Sequence, residues 1–145
     1  MKRFAHRMYA VTGILILAIN LLSACAYFGR KRIDFSGLEG ADKVEIRTSE
    51  NKPVATISDA NKIQRAITYI RSRQDRWGDR MTPSVPTWQL FFYRGERYLG
   101  GYGLGREMIM ALPSSHGFWW RDVPASEIEM LLKDLELEGR APSKE

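Results

Sequence analysis

Cysteine and histidine are scarce in this chain. Its 145 residues include one cysteine, Cys25, and two histidines, His6 and His116. A single thiol excludes an intramolecular disulfide, and no pair of residues has the C-x-x-C or H-x-x-x-H spacing of a zinc site. The composition therefore predicts neither a metal nor a cofactor, and it directs attention to the chemistry of the lone thiol.

A hydrophobic run long enough to cross a membrane is also missing. The apolar run that precedes Cys25 covers residues 8–22, about 15 residues, whereas a spanning helix needs about 20. Three basic residues and no acid come before the run, and Ser23 and Ala24 separate it from Cys25. This order of basic start, apolar segment and small-residue exit is typical of a secretory signal peptide.

The end of this signal has a specific pattern. The segment Leu22-Ser23-Ala24-Cys25 resembles the lipobox of bacterial lipoproteins. The resemblance implies that the Cys25 thiol takes up a diacylglyceryl group, that the signal is cut before Cys25, and that the new amino group is often acylated. Two or three acyl chains, palmitate among them, give stable membrane attachment. Ala26 stands where an Asp usually retains such proteins at the inner membrane of Gram-negative bacteria. We therefore expect a lipid-anchored envelope protein facing the periplasm, with the outer membrane favoured.

The excess of positive charge is small outside the signal. The whole chain has 22 basic and 17 acidic residues, but without residues 1–24 the balance is 19 against 17. A nearly neutral domain does not indicate a nucleic-acid partner. The run Arg30-Lys31-Arg32 follows the anchor closely. It is either a solvated linker or a contact to anionic headgroups, worth roughly 1 kcal/mol per charge.

The spacing of apolar and turn-forming residues predicts the domain organisation. Residues 1–24 are the signal peptide, 25–40 the lipidated cysteine and its tether, 41–138 one α+β domain, and 139–145 a polar tail. Within the tether, Phe35 and Leu38 are candidates to dock on the domain. After cleavage 121 residues remain, which suffices for one hydrophobic core.

The fold class follows from two periodicities. Alternating polar and apolar residues predict strands, and apolar residues spaced three and four apart predict two helices. The first helix is predicted to be capped by Ser58 or Asp59, and the second to open at Asp122 or Val123 with Pro124 in its first turn. The predicted order is β-β-α-β-β-β-β-α. It predicts a single antiparallel sheet of about five to six strands, with two helices on one face. The glycine-rich residues 101–105 are predicted to form a bulge or open turn, since their spacing does not match a dinucleotide fingerprint.

Candidate partner-binding residues fall in two stretches. Residues 74–86 form an unusually long predicted loop, and Trp119 and Arg121 share one face of a predicted strand, opposite Trp120. Both stretches place tryptophan beside arginine, a composition typical of binding hot spots. Acidic proteins, anionic glycans and lipid headgroups are the partners that this basic, aromatic side would suit. The candidate binding residues are Arg76, Trp77, Arg80, Trp119 and Arg121.

These observations favour a membrane-anchored, non-enzymatic binding or accessory module for a protein or envelope polymer. Two alternatives stay open. One is a small periplasmic enzyme that uses His116 with a carboxylate, because His116 is the one histidine left after signal cleavage. The other is a carrier with an apolar cavity for a lipid or similar ligand between sheet and helices. An enzyme requires a concave site around His116, whereas a binder requires a basic, aromatic patch.

Overall fold

The structure is a computed structural model that describes residues 31–79, 85–112 and 119–138. Cys25, Arg80 and His116 therefore lie outside the described residues, as do the signal peptide and the polar tail. The described residues form seven strands, two α-helices and one 3-10 turn at Ser36–Leu38. The strands are β1 (Lys43–Thr48), β2 (Pro53–Ile57), β3 (Gly78–Asp79), β4 (Trp88–Arg94), β5 (Arg97–Leu104), β6 (Met108–Leu112) and β7 (Trp119–Asp122). The helices are α1 (Ala60–Arg71) and α2 (Ala125–Asp134).

The strands form one open sheet in the order β2-β1-β4-β5-β6-β7-β3, and every neighbouring pair is antiparallel. This confirms the α+β class with a single antiparallel sheet. The strands β4 to β7 are sequential neighbours, as a meander requires. The order differs from the predicted one by a single element, the two-residue strand β3, which lies within the predicted loop 74–86.

The inner face of the sheet carries the main core. Residues that pair across antiparallel strands point to the same side, so the pairs Ile46–Leu90, Leu90–Tyr102 and Tyr102–Ala111 define one face. All four are buried, and the Tyr102 hydroxyl donates a 3.0 Å hydrogen bond to the Ala66 carbonyl of α1. The helices contact each other and contribute to this same core cluster.

Both helices begin where the sequence supplies a suitable start. The Asp59 carboxylate accepts a 2.9 Å bond from the Lys62 amide, which caps α1. Pro124 is the N-cap of α2, directly before the first turn in which the sequence placed it, and its missing N–H leaves no helical hydrogen bond unmade. The stripe Ile63, Ala66, Ile67 and Ile70 of α1 is buried, as its spacing predicts. Within the described residues, neither helix is long and apolar enough to cross a membrane.

The outer face has a small buried cluster of its own. Met110 and Trp120 pair across β6 and β7, and both are buried, although neither belongs to the main core. Pro86 covers the neighbouring Gly103, because a Cβ on Gly103 would lie 2.7 Å from the Pro86 ring. The chain that leads into β4 therefore lies over the outer face at Gly103, next to Met110.

The glycine-rich segment is more regular than predicted. Gly101 to Leu104 continue β5 and pair with β6. The irregularity in the register of β4 with β5 lies outside this segment, between Phe92 and Tyr93. Gly101 lies so close to β4 that an added Cβ would be 2.2 Å from the Leu90 carbonyl oxygen. Glycine at this position permits close pairing of two strands and does not create a turn.

Residues 31–40 pack against the domain, although the sequence suggested a tether for them. Lys31 and Trp77 exchange two backbone hydrogen bonds of 2.7 and 3.0 Å, and the Ile33 amide donates to the Gln74 carbonyl. Phe35 and Leu38 are buried in the main core, which confirms the expectation that they dock. The folded unit thus begins by Lys31.

Candidate functional site

The described candidate residues gather around one turn at the β3 edge of the sheet. Gln74 to Trp77 leads from α1 into β3, and residues 31–33 run beside it. The Arg32 guanidinium donates to the Gln74 side-chain oxygen at 2.8 Å and lies 4.0 Å from the Asp75 carboxylate. We call the four cations here the basic edge: Lys31, Arg32, Arg76 and Arg121.

Trp77 holds this turn from inside. Its side chain is 0 % exposed, its ring lies 5.5 Å from that of Phe35, and its indole N–H donates a 2.7 Å bond to the Arg73 carbonyl. The prediction that Trp77 is a contact residue is therefore corrected. Its backbone joins the sheet edge through Lys31. Side chains alternate between the two faces of the sheet, so Trp77, directly before β3, points its indole into the core.

Arg121 reaches across to the same turn from β7. It lies on the inner face opposite Ile109, and its guanidinium donates a 2.6 Å bond to the Asp75 carbonyl. Partial burial lowers the pKa of Arg121, and the nearby positive charges of Arg73 and Arg76 lower it further. The structure therefore brings Arg76 and Arg121 near the same turn, where the carboxylates of Asp75 and Glu127 partly offset their mutual repulsion.

Arg76 is exposed and held in an uncommon conformation. Its φ is +68°, in the left-handed region that few residues other than glycine and asparagine adopt. Such a conformation costs of order 1–3 kcal/mol, so surrounding contacts must maintain it. The backbone bonds on either side of Arg76, made by Gln74 and Trp77 to residues 31–33, supply that support. The side chain is thereby presented outward at the edge.

Arg73 behaves differently from these cations. It donates to the Glu127 carboxylate of α2 through two nitrogens, one of them at 3.2 Å, and to the Tyr69 carbonyl at 2.7 Å. Its guanidinium also stacks over the Tyr69 ring at 3.8 Å. Arg73 and Glu127 form a partly buried pair that neutralises itself. Arg73 therefore joins α1 to α2 and adds little free charge to the edge.

A pocket of about 490 Å³ opens beside the basic edge. Trp119 is half-buried in its wall, and the Lys31 ammonium lies 4.8 Å from the centre of the Trp119 ring. Among the described residues, no carboxylate forms an ion pair with Lys31. The remaining walls include Arg32, Phe35, Leu99 and Leu112. The pocket thus combines apolar walls with two cations at one end.

One acid within this pocket is already occupied. The Asp34 carboxylate accepts bonds of 2.8 Å from the Ser36 amide and 2.9 Å from the Ser36 hydroxyl. The bond from the Ser36 amide, and to a lesser extent that from the hydroxyl, hold the pKa of Asp34 below its usual value. Among the side chains that the structure describes here, Asp34 and Asp75 are the two carboxylates beside the four cations. These six described side chains therefore carry a positive net charge at neutral pH.

Two other surfaces are less suited to an anionic ligand. A groove of about 510 Å³ lies between the helices, but it is crossed by the Arg73–Glu127 pair and by Arg65 with Asp134 at 4.0 Å. On the outer face of β1 and β4, the aromatic rings are covered by cations, with Lys43 over Tyr93 and Arg47 over Phe91. Glu45 pairs with both of these cations, at 3.1 and 2.8 Å.

The enzyme alternative depends on a residue that the structure does not describe. His116 and Arg80 lie outside the described residues, so the enzyme alternative stays a prediction. Across residues 31–79, 85–112 and 119–138, no three His, Cys, Asp or Glu side chains lie close enough to hold a metal. Lys31 and Arg32 were not among the predicted binding residues, because the sequence left their run as either a solvated linker or a headgroup contact.

Comparison with protein-family models, with curated proteins and with solved structures found no match for this chain.

Proposed function

We propose that this chain is a lipid-anchored envelope lipoprotein whose folded domain is a non-enzymatic binding module for an anionic envelope component. The anchor is Cys25, and the recognition surface is the basic edge with the Trp119 pocket. Acidic proteins, anionic glycans or other envelope polymers, and lipid headgroups share the chemistry that this surface would recognise. Anchorage and recognition are separate parts of the proposal, and each has its own test.

One observation carries the recognition part. Four cations converge on one turn, and they adjoin a pocket whose wall contains a half-buried tryptophan. Arginine and tryptophan are the residue types most enriched in binding hot spots. The cations of the helix groove, in contrast, face carboxylates across it. The basic edge therefore has unspent hydrogen-bond donors and positive charge, which a ligand with carboxylate or phosphate groups would use.

The anchor is tested by radiolabelled palmitate in cells that produce the full chain or its Cys25→Ala variant. We expect label in the natural chain and none in the variant. Mass spectrometry of the natural product should show cleavage before Cys25. An intact Met1, or an unmodified Cys25 on a chain that stays in the cytosol, would remove the envelope assignment.

The recognition surface is tested by photocrosslinking in intact cells. A photoreactive residue replaces Arg76 at the basic edge, and in the matched control it replaces Arg97, an exposed arginine at the turn between β4 and β5. We expect adducts with anionic envelope components from position 76 and not from position 97. The same adducts in equal yield from both positions would contradict a defined surface.

A further inference from the structure

The distance between the anchor and the folded unit is short. Cys25 and Lys31 are six residues apart, and a fully extended chain covers at most about 3.6 Å per residue, or roughly 20 Å in all. Lys31 is hydrogen-bonded into the edge of the sheet through Trp77. A lipidated Cys25 would thus keep the start of the folded unit within about 20 Å of the headgroup region, whatever conformation the linking residues adopt.

The residues nearest to this attachment point are the basic edge. Arg32 follows Lys31 directly, and Arg76 and Arg121 surround the turn to which both are bonded. Their four charges outnumber those of Asp34 and Asp75 by two. Basic residues near an anionic leaflet gain about 1 kcal/mol each, which is about a fivefold preference per charge.

Trp119 adds a second property that suits a membrane surface. Tryptophan is enriched at membrane interfaces, where its ring meets the boundary between headgroups and acyl chains. Trp119 is also the accessible member of the four tryptophans of the chain, since Trp77, Trp88 and Trp120 are buried. Leu99 and Leu112 line the same pocket as Trp119 and extend the apolar surface beside the cations.

We propose that the basic edge and Trp119 dock on the anionic phospholipid headgroups of the membrane that holds the lipidated Cys25. This inference rests on the proposed function and names its ligand. Tethering makes docking intramolecular, so a weak surface suffices. A net excess of two charges is enough for roughly a 25-fold preference for the docked state. A free acidic protein would have to be held by a much larger interface.

The experiment uses the mature lipidated protein, reconstituted into two kinds of vesicle. One kind contains phosphatidylcholine alone, and the other contains phosphatidylcholine with phosphatidylglycerol. Both carry lipids brominated near the headgroup, which quench tryptophan fluorescence at short range. We expect quenching of Trp119 in the anionic vesicles, little in the zwitterionic ones, and its loss at high salt because the Debye length shortens. A Trp119→Phe variant should lose the quenched component.

A charge variant and a matched control separate docking from general electrostatics. Arg32→Gln with Arg76→Asn removes the net excess, and asparagine suits the left-handed backbone at position 76. We expect the docked population in anionic vesicles to fall about 25-fold relative to the undocked one. Arg97→Gln with Arg106→Gln removes two exposed charges from the turns of the meander and should preserve docking.

Each alternative result has a distinct meaning. Equal quenching in both vesicle types, or equal losses in the edge variant and its control, overturns the lipid inference. If soluble polyglutamate alters Trp119 fluorescence while phosphatidylglycerol does not, the ligand is an acidic polymer or protein, so the inference fails and the proposed function stands. A response to neither probe refutes both. A protein that does not remain with the vesicles refutes the anchor, and docking with it.

Discussion

Two buried tryptophans of this domain differ in what their indole N–H groups meet. Trp77 is 0 % exposed, and its N–H donates a 2.7 Å bond to the Arg73 carbonyl. Trp120 is 2 % exposed, and its N–H has no hydrogen-bond partner among the described residues. Replacing each tryptophan by phenylalanine removes the same atoms from equally buried positions. The pair of variants therefore isolates the contribution of the hydrogen bond.

The expected difference is large for a domain of this size. Both variants lose packing contacts of similar extent. Trp77→Phe also loses a hydrogen bond worth about 0.5–1.5 kcal/mol, whereas Trp120→Phe removes a buried unpaired donor that costs about 1–3 kcal/mol. The free energy of unfolding of Trp77→Phe should thus lie about 2–4 kcal/mol below that of Trp120→Phe.

Urea unfolding followed by far-ultraviolet circular dichroism measures this difference without relying on tryptophan fluorescence. With a denaturant slope of about 2 kcal/mol per molar, the two midpoints should be about 1–2 M apart. Coincident midpoints, or a lower midpoint for Trp120→Phe, would refute the reasoning. Either result would mean that the Trp120 N–H is satisfied in solution.

Three further changes test the helix cap, the close strand pairing and the partly buried phenol of Tyr98. Asp59→Ala should lower the urea midpoint at neutral pH, because the hydrogen bond from the Lys62 amide lowers the pKa of Asp59 in the folded state. The stability that this bond contributes is lost as pH falls through the folded pKa, so the midpoints of the variant and the natural protein should converge in acid. Gly101→Ala should cost about 1–3 kcal/mol, because its Cβ would meet the Leu90 carbonyl oxygen at 2.2 Å, whereas the control Gly37→Ala has 3.9 Å to its nearest atom. Partial burial raises the pKa of Tyr98 to about 12. The stability that the protonated phenol contributes should be lost as pH rises from the unfolded pKa towards that value. Tyr98→Phe should remove the phenolate absorbance that appears near that pH.

The contrary results for these three are specific. A difference between Asp59→Ala and the natural protein that persists in strong acid would show that the carboxylate charge is not what stabilises the cap. Equal thermal unfolding of Gly101→Ala and Gly37→Ala would show that β4 and β5 can separate at no cost. Loss of absorbance near the ordinary tyrosine pKa in Tyr98→Phe would show that this phenol is solvated.

The main elements could be predicted because their signals are local. The stripe of α1 and the capping carboxylate of Asp59 lie within one segment of chain, and so does the alternation in β1 and β4. Strand β3 could not be predicted, since two residues carry no period. The continuation of β5 through Gly101 depends on how closely β4 approaches it, which no property of the segment itself reveals.

The site was predictable in part for the same reason. Alternation along β7 correctly places Trp119 and Arg121 on one face and Trp120 on the other. It does not reveal which face is more deeply covered, because that depends on distant parts of the chain, as Pro86 over Gly103 illustrates on the outer face. Lys31 joins the site through backbone bonds to Trp77, and Arg32 through a side-chain bond to Gln74. Both partners lie more than forty positions away, so composition alone assigned the two cations to a tether.

The burial of Trp77 changes how any binding experiment on this protein must be interpreted. Its backbone bonds hold Lys31, and its indole fixes the end of the turn that presents Arg76. A large-to-small substitution of Trp77 would cost about 3–5 kcal/mol and would release the whole basic edge. Such a variant would lose its ligand even though Trp77 never contacts that ligand. Loss of binding therefore identifies a contact only in a variant that keeps the midpoint of unfolding, and Arg76→Asn, which removes the charge and suits the backbone, meets that condition.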